Sequence, residues 1–142
     1  MLLLTKVVQF EMAHAIEGYA GACKNIHGHS YELQVTVSSV EPMGHEFIPA
    51  AGFIFDFKEL KKMVLALITE TFDHKLVLSR NYLTKNPELQ TQENLVVWEA
   101  EPTAENMLIY IRLNLEKKLP KDIKLAGLKL YETKDSFAEW KE

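Results

Sequence analysis

The chain has 142 residues, room for one domain, and 47% apolar with 25% charged residues gives it a real core under an ordinary surface. A net charge of −4 and a pI near 5.8 argue against a general nucleic-acid binder, which would present a basic face. One cysteine excludes an internal disulfide, no stretch approaches the roughly 20 apolar residues of a membrane helix, and MLLLTKVVQFEM lacks a secretory pattern, so a cytoplasmic setting is expected.

Residues 2 to 13 alternate as a strand, with Leu4, Lys6, Val8, Phe10 and Met12 opposite Thr5, Val7, Gln9 and Glu11. His14 continues the Phe10–Met12 parity. Residues 17 to 25 read as a loop broken by Gly18 and Gly21. The second strand puts Tyr31, Leu33, Val35 and Val37 on one face and Glu32, Gln34, Thr36 and Ser38 on the other. Extended backwards, its parity adds His27 and His29 to the first face, about 7 Å apart along the chain. Residues 41 to 52 are a loop that contains His45.

Asp56 is a good helix N-cap with Glu59 at the capping-box position, and Leu60, Val64, Leu67, Ile68 and Thr71 keep helical spacing to about Phe72. Residues 75 to 94 show no clear period; NLVVWE, 94 to 99, is a short strand. Thr103 caps a second helix with the stripe Ala104, Leu108, Ile111, Leu115 and Leu119, stopped by Pro120. Residues 123 to 132 form the last strand, with a phase shift at Gly127 that predicts a bulge. The order ββαβαβ implies one α+β domain over 1–142, a mainly antiparallel sheet with two helices on one face. Its open edges favour pairing between copies.

CKNIHGHS, residues 23 to 30, sets the only cysteine beside a His-x-His pair. If the first two strands pair antiparallel, His14 joins His27 and His29, and three imidazoles leave one position free on a tetrahedral zinc. The alternative is surface or core histidines without a metal. Cys23 has three readings: a fourth ligand closing a structural site, a buried small hydrophobe, or a reactive thiolate favoured by Lys24 and a nearby zinc. Asp73 and His74 are adjacent in an irregular stretch. Glu105 suits the positive end of the second helix, and Glu132 could be a solvated edge charge.

FEMAHA (10–15), CKNIHGHSY (23–31), FIFDFKELK (53–61), FDHKL (72–76), EPTAEN (101–106) and YETKDSFAEW (131–140) together resemble the 6-pyruvoyl-tetrahydropterin synthase / 6-carboxy-tetrahydropterin synthase family over nearly the whole chain. The resemblance implies a tunnelling fold: a four-stranded antiparallel sheet backed by two helices, three subunits closing a twelve-stranded barrel, and two trimers stacking into a homohexamer. It implies Zn²⁺ on His14, His27 and His29, a catalytic thiol at Cys23, and an Asp73–His74 dyad reaching the site from a neighbouring subunit. Glu132 matches the pterin anchor and Thr103 a helper contact, with Glu105 beside it. The implied substrate is 7,8-dihydroneopterin triphosphate. The Cys-x-x-x-His-Gly-His spacing resembles the 6-carboxy-tetrahydropterin synthases, which release acetaldehyde and triphosphate on the way to queuosine and other deazapurines. The pyruvoyl-forming synthases are the alternative, and a non-catalytic zinc- or pterin-binding module a third. Residues 77 to 98 depart from shorter relatives, and 81 to 94 look like an extra loop or hairpin.

Overall fold

The structure, a computed structural model, describes residues 1–41, 44 and 46–142. His45, read as a loop residue, lies outside the described residues. The first two strands, β1 (Leu4–His14) and β2 (His27–Ser39), pair antiparallel along their whole length, from Leu4 opposite Val37 to His14 opposite His27. Because side chains alternate, this register puts Phe10, Met12, His14, His27, His29 and Tyr31 on one face. It is the core face: Tyr31, Leu33, Val35 and Val37 are fully buried on it, each apolar side chain of that kind contributing about 1.5–3 kcal/mol. The histidines therefore continue the core stripe to the end of the sheet.

Helix α1 (Phe57–Thr71) starts where Asp56 accepts the Lys58 amide and buries Leu60, Val64, Leu67 and Ile68; Phe72 caps its end. It leads into β3 (Lys75–Ser79), the short helix α2 (Arg80–Lys85), a 3₁₀ segment at Pro87–Thr91, and β4 (Leu95–Trp98). Thr103 caps α3 (Ala104–Glu116) by accepting from the Asn106 amide. Strands β5 (Ile123–Tyr131) and β6 (Phe137–Lys141) complete the chain. Helices α1 and α3 pack over the same face of the sheet, closing one main core.

The sheet differs from the four antiparallel strands expected. It is mixed and six-stranded, in the order β4-β3-β1-β2-β5-β6. The antiparallel part, β1-β2-β5-β6, is present, and β3 and β4 extend it in parallel from the edge of β1. The missed strands have separate causes. Val77 faces the main core, while Leu76 and Leu78 face a second cluster with Ala15 and Leu83. A strand buried on both faces reads as a continuous apolar run, so β3 carries no alternation. Residues 81 to 94, expected as an extra loop or hairpin, instead hold most of α2 and the 3₁₀ segment, and 75 to 98 form a β-α-β module. Strand β6 lies in the second half of YETKDSFAEW, beyond a turn in which the Glu132 and Thr133 amides both donate to the Ser136 carbonyl. The bulge is where the phase shift put it: Thr36 faces Gly127 and Val37 faces Leu125, leaving Ala126 unpaired.

Candidate active site

Three imidazoles meet at the end of the β1–β2 pair, and one ligand nitrogen from each of His14, His27 and His29 lies within 4.8 Å of the others. Backbone carbonyls orient two of the rings. His14 Nδ1 lies 2.7 Å from the Pro102 carbonyl oxygen, and His27 Nδ1 lies 2.7 Å from that of Asn25. A carbonyl can only accept, so both Nδ1 atoms carry the proton and both Nε2 atoms present lone pairs. Those two Nε2 atoms stand 3.1 Å apart. Two bare lone pairs at that distance repel unless a proton or cation lies between them. Burial pushes His14 below its ordinary 6.5, which disfavours the proton.

A divalent cation fits. Nitrogen ligands on a tetrahedral zinc stand roughly 3.3 Å apart when each Zn–N bond is about 2.0–2.1 Å. The third imidazole agrees: His29 Nε2 is buried without a hydrogen-bond partner among the described residues, and burial also lowers its basicity. Glu132 adds negative charge alongside, with Oε1 3.5 Å from His29 Nε2 and Oε2 4.0 Å from His14 Nε2. A backbone carbonyl that accepts the Nδ1–H is a usual outer partner of a metal-bound histidine. Cys23 is not part of this cluster, so a metal held here would have three imidazole ligands and an open fourth position.

Beside the cluster is an open cavity of about 310 Å³. His14, Cys23, Thr103, Glu105 and Glu132 all line it, so five residues singled out from the sequence share one space. Cys23 comes from a single 3₁₀ turn, Ala22–Lys24, and is half-buried. Thr103 and Glu105 come from the start of α3. Glu132 arrives at the β5–β6 turn, where the Tyr31 hydroxyl donates weakly to its Oε2 at 3.5 Å. Burial, with Glu132 next to it, drives the Tyr31 phenol far above its usual range, so it remains a donor. The sequence reading passed over Ile16, Tyr19, Ser136, Phe137 and Ala138, which also line the cavity. The position of the last three follows from the unrecognised β5–β6 hairpin.

The Asp73–His74 pair forms but lies elsewhere. Asp73 Oδ1 accepts from the Glu11 amide at 3.0 Å and lies 3.0 Å from His74 Nδ1. His74 has φ +59 and a side chain 78% exposed, and neither residue lines the cavity of its own chain.

Among the described residues no helix is long and apolar enough to cross a membrane. A family model described as 6-pyruvoyl tetrahydropterin synthase matches residues 3–142. A Haemophilus influenzae protein named 6-carboxy-5,6,7,8-tetrahydropterin synthase is 30% identical over the whole of both chains. The human 6-pyruvoyl tetrahydrobiopterin synthase is 32% identical over 85% of this chain and 71% of its own. The solved structure of Caenorhabditis elegans 6-pyruvoyl tetrahydropterin synthase superposes with a TM-score of 0.67 at 24% identity, covering 99% of this chain and 95% of that one. The family match along nearly the entire length, with a relative 30% identical over the whole of both chains, makes this chain a member of the 6-pyruvoyl tetrahydropterin synthase family.

Proposed function

We propose that the protein is a zinc-dependent 6-carboxy-5,6,7,8-tetrahydropterin synthase. It would convert 7,8-dihydroneopterin triphosphate and one water to carboxytetrahydropterin, acetaldehyde and triphosphate, in the cytoplasm and on the route to queuosine and other deazapurines. The observation that carries this reading is the cavity in which Cys23 and Glu132 lie beside a cluster of three imidazoles, two of them with facing Nε2 lone pairs.

Zinc held by His14, His27 and His29 would supply Lewis-acid polarisation of a substrate side-chain oxygen. The protein groups do the rest. Cys23, outside the ligand set, is free to take a carbon-bound proton as thiolate. Glu132 accepts two N–H bonds at once from the ring N–H and exocyclic NH₂ of a pterin, a pairing that favours a carboxylate over an amide. Thr103 and Glu105 line the same space and add contacts to the bound ring. Asp73 holds His74 by its Nδ1, leaving Nε2 to move a proton at oxygen in the site of an adjacent subunit.

That last role requires an oligomer, and the open strand edges support one. β3 covers β1 only at Met12–His14, so among the described residues the edge of β1 before Glu11 is unpaired, as is the outer edge of β6. Joining such edges in three copies would put the four antiparallel strands of each, β1, β2, β5 and β6, into the twelve-stranded barrel, with β3 and β4 outside it, and stacking two barrels would give the homohexamer.

The test is metal-replete protein with 7,8-dihydroneopterin triphosphate, products resolved by mass and acetaldehyde assayed. Carboxypterin and acetaldehyde in equal amounts support the proposal. A pyruvoyl product without acetaldehyde moves the assignment to the pyruvoyl-forming synthase with the same residues. Zinc-loaded protein that leaves the substrate intact refutes both and favours a non-catalytic zinc- or pterin-binding module.

A further inference from the structure

We propose that Glu101 is a positioning residue for the loop that carries Cys23, and that Glu17 and Lys85 complete a clamp through which α2 holds this loop beside the imidazole cluster. The proposal deepens the functional reading above, since it assumes that Cys23 acts as the base.

The loop leaves β1 after His14 and returns at His27. Its residues 18 to 22 are exposed, and Gly18 sits at φ +75 where other side chains are strained, so little in the loop itself fixes its course. The anchors lie at its root. The Ile16 amide donates to the Cys23 carbonyl at 2.9 Å, tying the thiol's residue to Ile16. The next amide, that of Glu17, donates to Glu101 Oε2 at 2.9 Å. The Glu17 carboxylate takes the Lys85 ammonium from the last turn of α2.

Glu101 is itself immobilised. Its carbonyl accepts from the Thr103 amide and from Asn106 Nδ2, both at 2.9 Å, at the start of α3. The adjacent Pro102 carbonyl accepts from His14 Nδ1. Three consecutive residues thus hold a candidate metal ligand, pin the cysteine loop and present Thr103 to the cavity. The β-α-β module, attached at the edge of β1, reaches the same loop through Lys85. The distance between thiol and imidazoles is therefore set by segment 101–103 and braced from outside by α2.

The experiment compares E101A, E101Q and K85M on metal-replete protein by iodoacetamide alkylation of Cys23, zinc content, and kcat and KM separately. E101A loses the acceptor; it is expected to raise the alkylation rate severalfold as the thiol gains access. It should lower kcat about 10- to 100-fold by misplacing the base, with KM and zinc content close to wild type. E101Q offers an amide oxygen to the same N–H and restores both. K85M, whose side chain is 68% exposed, moves alkylation in the same direction by a smaller factor. Wild-type alkylation in E101A or, should E101A not fold, in K85M overturns the proposal. So does E101Q impaired as badly as E101A, because then charge rather than hydrogen-bond position would matter. Failure of the wild type to turn over the pterin sinks the functional reading instead, and the alkylation arm still decides the clamp.

Discussion

On the proposed reading, zinc should stabilise the fold through the imidazole cluster by an amount that free zinc concentration sets. With His14 and His27 donating from Nδ1 to carbonyls, their Nε2 lone pairs face each other at 3.1 Å, and His29 Nε2 is buried without a partner. The metal-free protein keeps that repulsion and that unsatisfied nitrogen; the loaded protein has neither. If zinc binds the folded cluster and not the dispersed histidines of an unfolded chain, free zinc at a hundred times Kd adds about 2.7 kcal/mol. At about 4 °C per kcal/mol for a chain of this size, Tm should rise by about 10 °C. The assay is thermal unfolding of chelated protein titrated with zinc, alongside a metal determination. His29→Ala removes one ligand and should abolish most of the shift, while Cys23→Ala should retain it. Superimposable curves with and without zinc, or purified protein that takes up far less than one metal per chain, would refute the argument.

Cys23→Ala should keep its zinc and lose about 10²- to 10⁴-fold in turnover, read by steady-state kinetics with metal analysis; loss of the metal instead would make Cys23 a ligand. If Asp73 and His74 serve a neighbour's cavity, mixing Cys23→Ala with His74→Ala subunits under conditions that allow exchange should restore about a quarter of wild-type activity; no recovery would place the dyad outside the site. Phe72→Ala removes a fully buried ring packed against Phe10, Trp98 and Tyr110, and should cost about 3–5 kcal/mol in denaturant unfolding. Burial, then the Glu17 and Glu88 carboxylates, raises the Tyr82 phenol above its ordinary 10.0. The unfolded chain releases this proton first, so the contribution is intact below pH 10 and is lost as pH rises through the folded value. Tyr82→Phe should therefore flatten the alkaline fall in Tm, and an unchanged alkaline limb would contradict the assignment.

Local chemistry was enough for much of this protein. The alternation of β1 and β2 put His14, His27 and His29 in phase with Phe10 and Tyr31, so the imidazole cluster followed from parity and one antiparallel pairing. Asp56 and Thr103 announced their helices because a cap is a contact within three residues, and the Gly127 bulge announced itself as a break in phase. Other features depend on contacts distant in sequence. Strand β3 pairs in parallel with β1, more than 60 residues away, and is buried on both faces, so it carries no periodic signature. The hairpin that brings Ser136, Phe137 and Ala138 to the cavity lies beyond Glu132, where the last expected strand ends. The Glu17–Glu101 and Glu17–Lys85 contacts span 84 and 68 residues and look like ordinary surface charges until the chain is folded. Pattern and capping identify which residues share a face or begin an element, because those forces act between neighbours. Which faces, edges and carboxylates meet is decided only when long-range packing closes the core.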